Sequence, residues 1–167
     1  MSKIIKTERL LLRPLEIADA PELARLIADW QVMRWLTSPP WPYRVEDAEW
    51  FINDESSNGS YGIFHDGTLC GVVGIGEDLG YWLGVPFHGK GIMTEAAGGV
   101  VADYFDNGGE VLNSGYLLGN AASANVLTKL GFQPNGTRTD LSKPLAREVT
   151  LQKMVLTRDR WIARHET

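Results

Sequence analysis

Apolar positions along the chain change spacing several times, and each change marks an element. Arg9-Leu10-Leu11-Leu12-Arg13-Pro14 predicts an extended strand ended by proline. Asp19-Ala20-Pro21-Glu22 then carries the marks of a helix start: an N-cap acid, an early proline and an acid in the first turn. Leu23, Leu26 and Ile27 give that helix one apolar stripe. Trp30 to Tyr43 reads as a loop, with Trp30, Trp35, Trp41 and Tyr43 set among Pro39, Pro40 and Pro42. An amphipathic helix is expected from Val45 to about Asp54. Tyr61 to His65 turns at Asp66-Gly67 into Leu69 to Ile75, a hairpin signal, and Leu79 to Val85 predicts a further strand. A glycine-rich turn at His88 to Gly91 leads into a helix from about Met93 to Asn107, stopped by Gly108-Gly109. The rest predicts a strand from Val111 to Leu118, a helix from about Ala121 to Leu130 ended by Gly131, and a last strand from Glu148 to Leu156. Hairpins in the middle with strand–helix–strand units after them give an α+β class, a mixed sheet flanked by helices.

Composition narrows the setting. With 16 basic and 21 acidic residues the net charge is −5, and no long Lys/Arg stripe offsets it. Nucleic acid is therefore disfavoured as a main ligand, while a cationic amine suits an acidic surface. Cys70 is the only cysteine. That rules out an intrachain disulfide, makes a cysteine-based zinc site implausible and fits a cytoplasmic location; no metal is expected. Every apolar run is interrupted well short of ~18 residues, so no membrane span is expected. Met1 to Arg9 has no apolar stretch of the signal-peptide kind. Neither a repeat nor a linker divides the chain, and one domain over 1–167 is expected.

The most informative stretch is Tyr81-Trp82-Leu83-Gly84-Val85-Pro86-Phe87-His88-Gly89-Lys90-Gly91-Ile92-Met93-Thr94-Glu95-Ala96. Glycines between a strand and a helix allow close backbone approach and leave N–H groups free over the helix start, a ready site for phosphate or pyrophosphate. It is not a Walker loop, for no G-K-[ST] follows four variable residues, and it lacks the third glycine of a dinucleotide fingerprint. By itself such a turn can also be purely structural. The stretch Asn120-Ala121-Ala122-Ser123-Ala124-Asn125-Val126-Leu127-Thr128-Lys129-Leu130-Gly131-Phe132 opens a helix, where Asn120 is placed to cap.

Together these segments resemble the GNAT superfamily of N-acetyltransferases. The glycine turn is similar to the superfamily's pyrophosphate motif, Gln/Arg-x-x-Gly-x-Gly/Ala, with His88 and Met93 as departures. Asn120 to Phe132 resembles the Asn-x-x-Ser-x-x-Val-Leu-x-Lys-Leu-Gly-Phe of the ribosomal-protein-alanine (Rim-type) branch, as does Thr7 to Pro14 at the first strand. The resemblance spans nearly the whole chain and is weakest over 30–60 and 133–147, where a substrate would be chosen. It implies a central mixed, mostly antiparallel twisted sheet of about six to seven strands flanked by about four helices.

The resemblance further implies acetyl-CoA as cosubstrate and direct attack of an amine on its thioester in a ternary complex. Leu83, Gly84, Val85, His88, Gly89, Lys90, Gly91, Ile92, Met93, Thr94, Asn120, Ser123 and Asn125 would then bind the cofactor. Ser123 would serve the leaving thiolate, because Leu127 stands where the superfamily often has tyrosine; Asn120 would orient cofactor or amine. Glu77, beside Asp78, is the candidate base acting through water, with a solvated turn as the plain alternative. Trp30, Trp35, Trp41, Tyr43 and Tyr81 are candidates for the acceptor pocket, though aromatics in a proline-rich loop also serve packing. The acceptor is a protein N-terminus or a small-molecule amine, and the protein a monomer or homodimer. A catalytically idle CoA-binding or sensory domain is the competing reading.

Overall fold

A computed structural model describes residues 3–54 and 59–165. Eight strands form two antiparallel sheets. The first has the order β1 (Ile5–Lys6), β2 (Leu10–Arg13), β3 (Ser60–His65), β4 (Thr68–Ile75) and β5 (Leu79–Leu83). In the second, β8 (Arg147–Thr157) lies between β6 (Val111–Leu117) and β7 (Gln133–Ser142). Six α-helices accompany them among the described residues: α1 (Ala20–Ile27), α2 (Trp30–Met33), α3 (Val45–Asn53), α4 (Ile92–Asp106), α5 (Ala121–Leu130) and α6 (Arg158–His165).

The α+β class stands, with more elements than the pattern announced. Segment 133–147 holds β7 and its turn, which the pattern did not announce because nine of the ten β7 residues are exposed or half-buried and give no alternation to read. Trp30 opens a short helix inside the expected loop, started by Asp29, whose side chain accepts from the Gln31 N–H at 2.9 Å. The strand expected to reach Val85 ends at Leu83, since Pro86 draws Val85–Phe87 into a 3₁₀ turn. The residues after Leu156 form α6. Its Arg160 donates to the Gly131 carbonyl (2.6 Å) and Arg164 to that of Lys129 (2.8 Å), meeting the free carbonyls at the end of α5.

Two apolar layers cover the first sheet. On one face α4 and α5 pack Ala96, Val100, Val101, Phe105 and Leu127 against Leu12, Ile63 and Val73, and the same layer reaches Leu112, Met154 and Leu156 of the second sheet. On the other face α1 to α3 pack Leu23, Ile27, Met33 and Ala48 against Phe64, Leu69 and Val72. Leu69 and Val72 share a face, although an odd spacing should separate them. A bulge explains this: Ile63 pairs with Gly71 and Phe64 with Leu69, which leaves Cys70 unopposed. The layer that holds α4 therefore touches both sheets and fastens one to the other.

Candidate active site

The bulged Cys70 also sets the edge of the first sheet. Its carbonyl accepts from the Gly84 N–H at 2.8 Å. Antiparallel alternation then turns the backbone groups of Leu79, Tyr81 and Leu83 away from β4, towards the second sheet. At Leu79 the gap is closed, for the Ser114 hydroxyl of β6 donates to its carbonyl at 2.8 Å. No ladder joins β5 to β6, so the outward groups of Tyr81 have no paired strand beside them. Leu83 keeps an outward N–H, while its carbonyl accepts from Nε2 of His88 at 2.7 Å. Gly84 is closely packed: a Cβ there would lie 2.7 Å from Leu26 Cδ2 and 3.3 Å from the Cys70 carbonyl, so Leu26 would have to shift.

The turn that follows is shaped for close approach. Gly89 and Gly91 have φ of 74° and 73°, a region that side chains rarely adopt. A Cβ on Gly89 would meet nothing within 4 Å, so the turn faces open space. Gly91 caps α4 without a side chain, leaving the N–H groups of Ile92, Met93 and Thr94 without intrahelical partners. The Ile92 and Met93 side chains are buried in the core, so only their backbone faces the turn.

Arg9 and Thr7 hold this turn, a role not predicted from the sequence. Arg9 donates from Nη1 to the Lys90 carbonyl (3.0 Å) and from Nε to Glu95 Oε1 (2.7 Å). Glu95 Oε2 also accepts from the Arg9 N–H (2.8 Å) and the Thr7 hydroxyl (2.5 Å). Partial burial works to raise the Glu95 pKa, and these hydrogen bonds outweigh it, holding the carboxyl below its usual value. Glu95 thus anchors the turn while Arg9 offsets its charge beside the open amides.

Across the gap from β5, α5 begins at Asn120, whose Oδ1 accepts from the Ser123 N–H at 3.2 Å. Asn120 therefore caps the helix, as its position suggested. The Ser123 hydroxyl lies 2.9 Å from that of Tyr81. Burial pushes the Tyr81 phenol up to about 12, against the opposing pull of the Ser123 hydrogen bond, so it is protonated at neutral pH. Leu127 is fully buried and cannot substitute for a polar group. Asn125 is exposed on α5. Glu77 is exposed in the turn before β5, about 13 Å along the strand from Tyr81.

The expected aromatic pocket divides. Trp30 and Trp35 line a cavity of about 820 Å³, together with Arg34, Leu117, Leu118, Gly119, Leu145, Arg147, Val149 and Thr150. Trp41 packs on Trp30, with ring centroids 4.9 Å apart, and is not among the cavity's lining residues. Tyr43 packs with the α1–α3 layer, and burial with the nearby Asp47 charge raises its phenol to about 12. Tyr81 belongs to the hydroxyl pair. Leu117 to Gly119 runs directly into Asn120, so the cavity and that pair flank one turn of chain. Among the described residues no helix is long and apolar enough to cross a membrane, and no cluster of three or more His, Cys, Asp or Glu is placed to hold a metal.

The family model for an acetyltransferase (GNAT) domain matches residues 9–133. The chain is 29% identical to YdaF of Bacillus subtilis, provisionally named a ribosomal N-acetyltransferase, with 80% of this chain and 82% of that one covered. It is 30% identical to p20, an uncharacterized N-acetyltransferase of Bacillus licheniformis, covering 84% and 88%. Among solved structures, RimL, a ribosomal L7/L12 alpha-N-protein acetyltransferase in complex with coenzyme A, superposes with a TM-score of 0.80 at 20% identity, covering 93% of this chain and 98% of that one.

Proposed function

The chain belongs to the acetyltransferase (GNAT) family, and on that premise we propose that it moves the acetyl group of acetyl-CoA to a primary amine. The acceptor is a protein N-terminal α-amine or a small-molecule amine in the cytoplasm, attacking directly in a ternary complex; residues 1–167 act as one domain. The Tyr81–Ser123 hydroxyl pair carries the reading, set between the open edge of β5 and the cavity that adjoins Asn120.

Acetyl-CoA supplies an acyl group activated as a thioester. The free amides at the start of α4, with Gly89 and Gly91, suit its pyrophosphate. The outward groups of Tyr81 and the outward N–H of Leu83 suit the pantetheine amides and the thioester oxygen as charge develops there. As the amine nitrogen bonds to the acyl carbon and the carbon–sulfur bond breaks, Tyr81 donates its proton to the sulfur, and Ser123 orients that hydroxyl. The proton lost by the amine leaves through water, with Glu77 as its more distant acceptor. With no strong base in contact, an α-amine suits the site better than a lysine. Deprotonation at pH 7 costs about 1 kcal/mol for the former and about 4.6 kcal/mol for the latter.

Tyr81→Phe and Ser123→Ala test this, read by acetyl-CoA binding and by thiol release with peptides bearing a free α-amine. We expect affinity to hold within about threefold while kcat falls about 100-fold for Tyr81→Phe and less for Ser123→Ala. Unchanged kcat in both would remove the pair from the chemistry. Binding without turnover on any amine would select the idle CoA-binding domain.

A further inference from the structure

The cavity beside Asn120 has a charge character that the whole chain does not. The protein carries a net charge of −5, yet none of the cavity's described lining residues is acidic and two are arginines. Arg34 is held over the Trp35 ring, 4.5 Å from its centroid, which fixes the guanidinium in place while leaving it exposed. Arg147 opens β8, and its guanidinium's only hydrogen bond among the described residues is to the Glu148 carbonyl at 3.5 Å. Neither arginine has an ion-pair partner among the described residues. The nearest acids in sequence are turned elsewhere. Asp29 caps α2, and Glu148 is not among the residues that line the cavity.

The lining also has an apolar part, with Leu117 and Val149 buried. Gly119, at φ 98°, lies where a Cβ would reach the Trp35 ring at 4.0 Å. A carboxylate entering here meets two planar, permanently charged forks in a recess partly shielded from water, where charge-assisted pairs are strong. At about 820 Å³ the space is large enough for a short peptide end.

Resting on the transferase reading above, we propose that this cavity selects acceptors whose amine is accompanied by carboxylate, an acidic peptide N-terminus foremost. The two guanidiniums also disfavour a second positive charge nearby, which keeps the attacking amine in its reactive neutral form. A cationic acceptor, the partner that the protein's overall charge suggests, is repelled at this point.

The test compares acetylation of three hexapeptides that begin with serine and continue with two acidic, two alanine or two lysine residues, alongside free aspartate. We expect kcat/KM for the acidic peptide to exceed that for the alanine peptide at least tenfold and that for the lysine peptide further, with the margin shrinking in high salt. Arg34→Glu combined with Arg147→Glu should reverse the order and leave acetyl-CoA affinity unchanged; both positions are exposed, and Arg147→Glu alone should show part of the reversal. Aspartate matching the acidic peptide supports the proposal with a small aminocarboxylate as the source, and a clear lag supports it with a peptide. Equal rates on all three peptides, or a preference for lysine, would overturn the charge assignment and leave the transferase reading standing. No turnover on any acceptor by acetyl-CoA-bound protein would overturn both.

Discussion

The glycine turn at the start of α4 and the arginine-lined cavity beside the start of α5 are built in opposite ways. The turn is made of backbone: two glycines at positive φ, three free amides at the start of α4, and a carboxylate that braces them from behind with Thr7 and Arg9. The cavity is made of residues at and beside α2, β6 and the β7–β8 hairpin, three separate stretches of the chain that only folding brings together. A site made of backbone must use residue types that permit its geometry, whatever its ligand. A site made of side chains can be rebuilt for another acceptor without disturbing the fold.

That contrast explains what the sequence disclosed. Gly89, Gly91 and the Asn120–Ser123 helix start were legible because positive φ and N-capping admit few residues, and the ends of α5 agree with the pattern residue for residue. The bracing by Arg9 was hidden, for a basic residue entering a strand looks the same whether it faces solvent or a turn eighty residues away. β7 was hidden because its face is exposed and polar-rich, leaving no period to detect. The aromatic cluster was legible as a set and not as a surface. Only contact in three dimensions separates Trp35, which lines the cavity, from Tyr43, which packs against the core. Tyr81 shows the same limit, since its reach to Ser123 spans 42 residues.

Substitution should separate the two halves cleanly. The largest effect is expected from Gly91→Val, which forces a branched side chain into a left-handed conformation at about 1–3 kcal/mol. Acetyl-CoA affinity by calorimetry should fall about 10- to 100-fold, with acceptor binding little changed. Trp30→Ala should do the converse, raising acceptor KM about tenfold at constant acetyl-CoA affinity, because it removes a wall of the cavity. Trp41→Ala should give the smallest change, about two- to threefold in the same KM, since Trp41 acts only through the Trp30 ring. If Trp30→Ala weakened acetyl-CoA and spared the acceptor, the division would be drawn in the wrong place.

The most direct test of the cofactor assignment is thermal unfolding of the protein with acetyl-CoA, with NAD and ATP as controls. At about 100 times its dissociation constant, a ligand that binds only the folded state adds about 2.7 kcal/mol. For a chain of this length that raises Tm by about 5–11 °C. A rise of that size is expected with acetyl-CoA and none with NAD or ATP. No shift with acetyl-CoA, or an equal shift with all three, would contradict the assignment.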